Sequence, residues 1–181
     1  MARPLIGVMG SGTDEHTDDL LRGCPAEPLG RWIAEQGYDL LTGGGGGVMA
    51  AVARGFAAVA GRRGVSVGIL PAGPPPGYPN PWVDVAIRTH LPKRGEEGAD
   101  VLSRNHINVL SAAAVVALPG GAGTRTEVEL ALRYGRPLIA LLGPEGAIAG
   151  VDRAGLPAVA DTLAEVAAFV RQIVGPAVPD D

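Results

Sequence analysis

A glycine-rich loop followed by an acidic residue is the pattern in this chain that most specifically indicates chemistry. The residues concerned are Gly120, Gly121, Gly123, Thr124 and Glu127. Glycine lets backbone amides come close to a bound anion, and the start of a helix adds unpaired N–H donors and a partial positive charge. We therefore predict that these glycines and Thr124 bind a phosphate group.

Two charged residues are candidates for the same pocket, and each has two interpretations. Glu127 lies in the first turn of a predicted helix, where it either interacts with the helix dipole, worth about 0.3–1 kcal/mol, or acts as an acid, base or electrostatic stabiliser. Arg104 is either a solvated helix residue or a cation that faces the phosphate with its planar fork. The adjoining Asn105, His106 and Asn108 form a polar cluster that favours a functional site at Arg104 and Asn105.

A second loop consists of five consecutive glycines, Gly43, Gly44, Gly45, Gly46 and Gly47. Such a run costs considerable backbone entropy on folding, which a simple connection would not require. We predict that this loop also contacts the ligand, together with Gly10 and Ser11 in the tight turn after the first strand. The run lacks the G-x-G-x-x-G spacing of dinucleotide-binding loops, and no Gly-Lys-Ser/Thr follows either loop. A bound nicotinamide or flavin dinucleotide is therefore the weaker interpretation.

Short apolar runs that alternate with helical patterns must position these loops. Strands are predicted at residues 5–9, 38–41, 65–70, 82–87, 113–118 and 137–142, and helices near 27–36, 48–56, 101–110, 123–134 and 162–173. The alternation predicts an α/β fold, a single Rossmann-like three-layer domain over residues 1–181 with a mostly parallel sheet and helices on both faces. Ligands of such sheets bind outside the carboxyl ends of the strands, and both glycine loops follow strands.

Composition and charge argue against several other classes of function. The formal net charge is −4 with no run of five or more like charges, so no nucleic-acid partner is expected. Cys24 is the only cysteine and the three histidines are far apart, so no metal site is predicted. No apolar stretch reaches transmembrane length and the N-terminus does not resemble a signal peptide. We expect a cytoplasmic protein without membrane contact.

The stretch Pro119-Gly-Gly-Ala-Gly-Thr-Arg-Thr-Glu127 resembles the PGGxGTxxE motif of the LOG ("lonely guy") family, whose members have also been labelled lysine decarboxylase-like. The resemblance covers nearly the whole chain, from the Gly10-Ser11-Gly12 turn through the run of five glycines to the terminal helix. It implies a Rossmann-like fold and a homodimer that pairs through helices next to the site.

One activity implied by this resemblance is that of the cytokinin-activating members of the family. These phosphoribohydrolases cleave the N-glycosidic bond of a nucleoside 5′-monophosphate to a free base and ribose 5-phosphate, and none of the residues here indicates a required cofactor. The glycines and threonine of the motif would hold the phosphate, while Arg104 and Glu127 would serve the ribose and the chemistry. Glu127 would stabilise an oxocarbenium-like centre or orient water.

The alternative implied by the resemblance is a molybdenum cofactor carrier protein, which binds the phosphate of molybdopterin without acting on it. Residues 80–84 leading to Thr89 are similar to that branch, as are Asn105, where the cytokinin enzymes have Lys, and Thr126, where a Glu is common. Both interpretations imply a phosphate-bearing small-molecule ligand.

Retention of both Arg104 and Glu127 makes the hydrolase the leading expectation. A carrier has less need of a carboxylate beside a phosphate, where like charges repel. Lysine decarboxylation is not expected, because the only lysine, Lys93, lies in a polar loop, and a pyridoxal phosphate enzyme would need a buried Schiff-base lysine.

Overall fold

The computed structural model describes residues 2–12 and 25–176, in which seven strands alternate with five α-helices. The strands are β1 (Leu5–Met9), β2 (Asp39–Thr42), β3 (Ser66–Leu70), β4 (Val85–Arg88), β5 (Ala114–Ala117), β6 (Leu138–Leu141) and β7 (Val159–Ala160). The helices are α1 (Ala26–Glu35), α2 (Gly47–Ala57), α3 (Asn105–Ser111), α4 (Ala122–Arg133) and α5 (Leu163–Val174). Two short 3-10 helices lie at Gly95–Glu97 and Arg153–Gly155.

The strands form one parallel sheet in the order β4-β3-β2-β1-β5-β6-β7. The chain adds strands outward from β1 to β4, then crosses back so that β5 pairs with the other side of β1. The register places Ile6 beside Leu40 on one side and beside Ala114 on the other. The direction of winding therefore reverses between β1 and β5, which creates a crevice at their carboxyl ends.

Two hydrophobic cores cover the two faces of the sheet. Helices α1, α2 and α5 pack on one face, with Leu29, Phe56 and Val166 in the same core as Ile6 and Val116. Helices α3 and α4 pack on the other face, where Val109 and Val128 contact the core of Met9 and Val115. Alternate residues of a strand point to opposite faces, so the central strands are apolar on both sides. The predicted three-layer α/β fold is confirmed.

Differences from the predicted elements lie where local interactions replace regular structure. The helix predicted at residues 101–110 begins only at Asn105, because Lys93 pairs with Ser103 in a β-bridge and its N–H donates to the carbonyl of Leu102. Strand β7 was not predicted, since two residues carry no periodicity. A capping box begins α5: Thr162 Oγ1 accepts from Glu165 N–H, and Glu165 Oε2 accepts from Thr162 N–H.

Two further predictions concern membranes and metals. No described helix is both long and apolar enough to cross a bilayer. Among residues 2–12 and 25–176, no cluster of three or more His, Cys, Asp or Glu side chains is placed to hold a metal ion. Cys24 lies outside the described residues.

Candidate functional site

A cavity of about 730 Å³ opens at the carboxyl ends of β1 and β5. Nine of the residues predicted to form the site line it: Gly10, Ser11, Gly46, Arg104, Asn105, Gly121, Gly123, Thr124 and Glu127. They come from the connections that follow four different strands, β1, β2, β4 and β5, which the parallel sheet brings to one edge. Gly43, Gly44, Gly45, Gly47 and Gly120 do not line the cavity, and a Cβ on Gly43, Gly44, Gly45 or Gly120 would instead meet neighbouring parts of the protein.

The amino end of α4 forms one wall of the cavity. Gly121 is the N-cap residue in extended conformation, and a Cβ added to it would meet no atom within 4 Å. A Cβ on Gly123 would meet only the Cα of Gly95, at 3.8 Å. Both positions are therefore open on the cavity side, where the first N–H groups of a helix have no intrahelical acceptor. This arrangement can bind an anion through backbone N–H groups alone.

Gly120 and Thr124 give the same loop its shape. A Cβ on Gly120 would overlap Thr124 Oγ1 and lie 2.9 Å from the backbone nitrogen of Ser11. The amide of Gly120 donates to Ala147, and its carbonyl accepts from Ala149 N–H at 2.9 Å. Gly120 thus lets the loop pass close to the turn after β1, while Thr124, which is buried, lines the cavity.

The run of five glycines makes room for side chains that come from elsewhere. A Cβ on Gly43 would overlap the guanidinium of Arg104, and one on Gly45 would overlap the phenol of Tyr78. Gly44 has a φ of +75°, a conformation that other residues rarely adopt. Only Gly46, the N-cap residue of α2, lines the cavity itself.

Arg104 and Glu127 form a buried ion pair in the cavity wall, with Arg104 Nη1 3.2 Å from Glu127 Oε1. The same carboxylate oxygen accepts from Asn108 Nδ2 at 3.0 Å. Glu127 Oε2 takes part in none of the hydrogen bonds among the described residues. Within that part of the chain, nothing accepts a hydrogen bond from the buried Arg104 Nε. Each charged group therefore keeps hydrogen-bonding capacity that its neighbours do not use.

The pKa of Glu127 is raised above its ordinary value of 4.5. Burial is the largest cause, because it disfavours the charged carboxylate, and it outweighs the opposite effects of Arg104 and Asn108. A buried carboxyl group that can hold a proton beside a cavity is suited to acid–base chemistry, but it also presents less negative charge to an anionic ligand.

A directed chain of hydrogen bonds orients Arg104. Thr126 Oγ1 donates to the carbonyl of Gly123 at 2.7 Å, so its oxygen is left to accept from Asn105 Nδ2 at 3.1 Å. This fixes the amide of Asn105 with its oxygen towards Arg104, and Arg104 Nη1 donates to Asn105 Oδ1 at 2.8 Å. The loop that begins α4 is thereby connected to the guanidinium through Thr126 and Asn105.

Other cavity residues were not predicted as site residues. Met49, Pro71, Pro75 and Tyr78 are mainly apolar, whereas the exposed Arg94 and Glu96 lie beside Gly95. Residues 72–81 are rich in Pro and Gly, a composition that predicts an irregular loop. Arg94 and Glu96 lie at the start of the 3-10 helix Gly95–Glu97, in a polar stretch that has neither a glycine loop nor an apolar strand beside it to indicate a site. Lys93 forms an ion pair with Glu97.

The chain belongs to the SLOG cluster4 family, whose model matches residues 3–166. An uncharacterized protein of Archaeoglobus fulgidus is 35% identical over 140 residues, which cover 77% of this chain and 80% of that protein. The resemblance to the LOG superfamily inferred from the glycine motif is therefore confirmed.

Two solved structures relate the chain to molybdenum cofactor proteins. The molybdenum cofactor carrier protein of Chlamydomonas reinhardtii is 34% identical, with a TM-score of 0.72 over 95% of this chain and 98% of that one. The molybdenum cofactor binding protein of Rippkaea orientalis is 40% identical, with a TM-score of 0.62 over 77% of each chain. The chain therefore lies close to the carrier branch of the superfamily.

Proposed function

We propose that this chain binds the molybdenum cofactor in the cavity at the carboxyl ends of β1 and β5 and carries it without reaction. The observation that carries the proposal is the open amino end of α4, where Gly121 and Gly123 present backbone to the cavity without a side chain in the way. The similarity to two molybdenum cofactor proteins, one along almost the whole chain, supports this choice of ligand. This reverses the ranking from the sequence, in which the hydrolase came first.

The residues present suit a phosphate-bearing pterin. A volume of about 730 Å³ lies within the range of roughly 300–1,000 Å³ that small-molecule sites occupy. We assign the phosphate to the amides of Gly121 and Gly123 and to the Thr124 hydroxyl, with Ser11 on the opposite turn. Arg104 supplies a buried cation whose Nε has no acceptor among the described residues. In the bound state the cofactor would supply no chemistry here, because a carrier only shields and delivers it.

The position of Glu127 is compatible with an anionic ligand. The sequence argument against a carrier was the repulsion between a carboxylate and a phosphate. Arg104 and Asn108 both donate to Glu127 Oε1, and burial raises the pKa of Glu127 towards the neutral form. Both effects reduce the negative charge that faces the cavity, and so weaken that objection.

Binding can be tested with molybdenum cofactor released anaerobically from a denatured molybdoenzyme. The protein would be incubated with it, separated from free cofactor by gel filtration, and assayed for pterin fluorescence after oxidation. We expect stoichiometric pterin in the protein fraction, and none with Arg104→Met. Gly155→Ala is a matched control, since Gly155 lies in the second 3-10 helix and a Cβ there would meet no atom within 4 Å. Absence of pterin from the wild-type fraction would rule out the carrier.

A phosphoribohydrolase is the second candidate, and one specific observation favours it. Glu127 lines the cavity with its pKa raised, so the carboxyl can hold a proton for a departing base or orient water at the ribose. Its test is release of free base from a panel of nucleoside 5′-monophosphates, followed by chromatography. Release that is lost in Glu127→Gln would establish the hydrolase, whereas pterin binding without base release would establish the carrier.

The homo-oligomer implied by the family resemblance also remains a proposal. Apolar side chains are exposed on and near the two helices beside the cavity: Val101, Leu102, Ile107, Leu110 and Leu132. Light scattering of the purified protein would give its mass in solution. A monomer at all concentrations would contradict the proposal, and charged substitutions at Ile107 and Leu110 would identify the surface if a dimer forms.

A further inference from the structure

The run of five glycines holds the segment at residues 75–80 against the cavity. The backbone N–H of Asn80 donates to the carbonyl of Gly44 at 2.8 Å. The side chain of Asn80, which is buried, donates through Nδ2 to the carbonyl of Gly45 at 2.8 Å. Two hydrogen bonds from one buried residue therefore attach this segment to the glycine run.

The phenol of Tyr78 lies directly on the backbone of Gly45. A Cβ at Gly45 would overlap the Oη and Cζ atoms of Tyr78, so only glycine permits the ring to occupy this place. A Cβ at Gly12, in the turn after β1, would lie 3.6 Å from Tyr78 Oη and 3.0 Å from the Cε atom of Met49. Tyr78 and Met49 therefore lie beside the turn after β1 and the glycine run after β2, and both side chains line the cavity.

The cavity has two chemically different sides. Tyr78 belongs to the connection between β3 and β4, and Met49 to the first turn of α2 after β2, so both come from the β2–β3 side of β1. The open amino end of α4 comes from the opposite side, after β5. Pro71 and Pro75 extend the first side, which is apolar and partly aromatic, whereas backbone amides provide the second. Arg104 lies between them, because its guanidinium is against Gly43 at the end of β2 and also donates to Glu127 of α4. Adjacent strands are about 4.8 Å apart, so the width from β5 to β3 is on the order of 14 Å.

We propose that Tyr78 is a specificity-determining residue, and that with Met49 and Pro75 it forms the wall on which a flat heteroaromatic ring of the ligand packs. Gly45 then serves to leave room for the Tyr78 ring, and the phosphate contacts the loop that begins α4. The ligand class is a fused-ring heterocycle, such as a pterin or purine, that carries a phosphate group. This inference rests on the proposed binding of a phosphate-bearing ligand and adds the recognition of its ring.

The test compares ligands with and without a ring. Titration calorimetry would use molybdenum cofactor and guanosine 5′-monophosphate as ring-bearing probes and ribose 5-phosphate as the probe that lacks a ring. Stacking on an aromatic side chain corresponds to roughly a 5- to 100-fold effect on affinity. We expect Tyr78→Ala to weaken the ring-bearing ligand by this factor, with ribose 5-phosphate unchanged within about twofold, and Tyr78→Phe to behave like the wild type.

A second variant separates the ring wall from the phosphate loop. Gly45→Ala should displace the phenol and copy the selective loss of Tyr78→Ala, whereas Gly121→Ala should weaken all probes alike. The proposal is overturned if Tyr78→Ala binds every probe as the wild type does, or loses them all equally. It is also overturned if no ring-bearing probe binds the wild type more tightly than ribose 5-phosphate. If the wild type does not bind molybdenum cofactor but Tyr78→Ala selectively loses binding of guanosine 5′-monophosphate, the proposed ring wall is supported and the proposed carrier function is contradicted.

Discussion

Arg104 Nη1 lies 3.2 Å from Glu127 Oε1, and only 8% of Arg104 and 6% of Glu127 is exposed to solvent. Charges removed from water to this extent depend on each other, because either one alone would be left in an environment that disfavours it. The pair therefore links the stability of the domain to the electrostatics of its cavity. Variants of Arg104 and Glu127 must therefore be tested for both stability and ligand binding.

Arg104→Met should destabilise the protein at neutral pH. Loss of one partner of a buried ion pair costs about 3 kcal/mol or more, because the remaining charge has no compensation. Urea denaturation would measure the change in the free energy of unfolding. Adding Glu127→Gln to Arg104→Met should restore part of the loss, since the amide needs no cation. Equal stability of Arg104→Met and the wild type would contradict the coupling.

The pH dependence of stability should show the raised pKa of Glu127. A carboxyl group whose pKa is higher in the native state binds more protons there, so its contribution is fully present below about pH 4.5 and is lost as the pH rises through the native pKa. The wild type should therefore lose stability relative to Glu127→Gln as the pH increases over that window. The free energy of unfolding of both proteins would be measured across the same pH series. The difference between them then cancels the contributions of the other titratable groups. A wild type that gains relative stability with rising pH would show that the ionised form is favoured.

Thr126→Val should weaken ligand binding without a direct ligand contact. The change removes the hydroxyl that accepts from Asn105 Nδ2, so the amide is free to turn its oxygen away from Arg104. One such hydrogen bond is worth about 0.5–1.5 kcal/mol, so we expect up to about tenfold weaker binding of molybdenum cofactor. Thr126→Ser keeps the hydroxyl and should retain most of the affinity. Similar losses in both variants would instead indicate altered packing.

Gly121→Ala should weaken binding of every phosphate-bearing ligand and leave the fold intact. Its φ of −94° suits any residue, and a Cβ there would meet no protein atom within 4 Å, so the melting temperature should stay close to that of the wild type. The added methyl group would nevertheless stand where we place the phosphate. A binding assay with molybdenum cofactor, beside Gly155→Ala, would separate the two effects. Undiminished binding in Gly121→Ala would show that the ligand phosphate does not bind at this loop.

The sequence predicts the α/β class and most elements because each depends on local periodicity or on a cap. Thr162 and Glu165, for example, carry their capping interaction within four residues. The start of α3 at Asn105 was missed, since the preceding residues are held by a bridge from Lys93 to Ser103, a contact that no local pattern reveals.

The residues that face the cavity are harder to predict than the loops that contain them. The sequence singled out Arg104 and Glu127, but not their contact. Arg104 is the N-cap residue of α3 and Glu127 lies in α4, so the contact joins two different helices. The glycine run indicates close backbone approach, yet only the fold reveals what approaches: Arg104 at Gly43 and Tyr78 at Gly45. Tyr78 itself had no signal beyond its place in a loop rich in Pro and Gly.

The pairing of β1 with β5 has a consequence for how the protein is made. Ile6 lies beside Ala114, and the amide of Leu118 donates to the carbonyl of Met9, so the two turns of the cavity meet only after most of the chain has been synthesised. Closing so long a loop costs entropy and slows folding. A nascent chain that has emerged only as far as β4 carries the run of five glycines but no site. Ligand can therefore stabilise the finished domain by mass action but cannot assist its early folding.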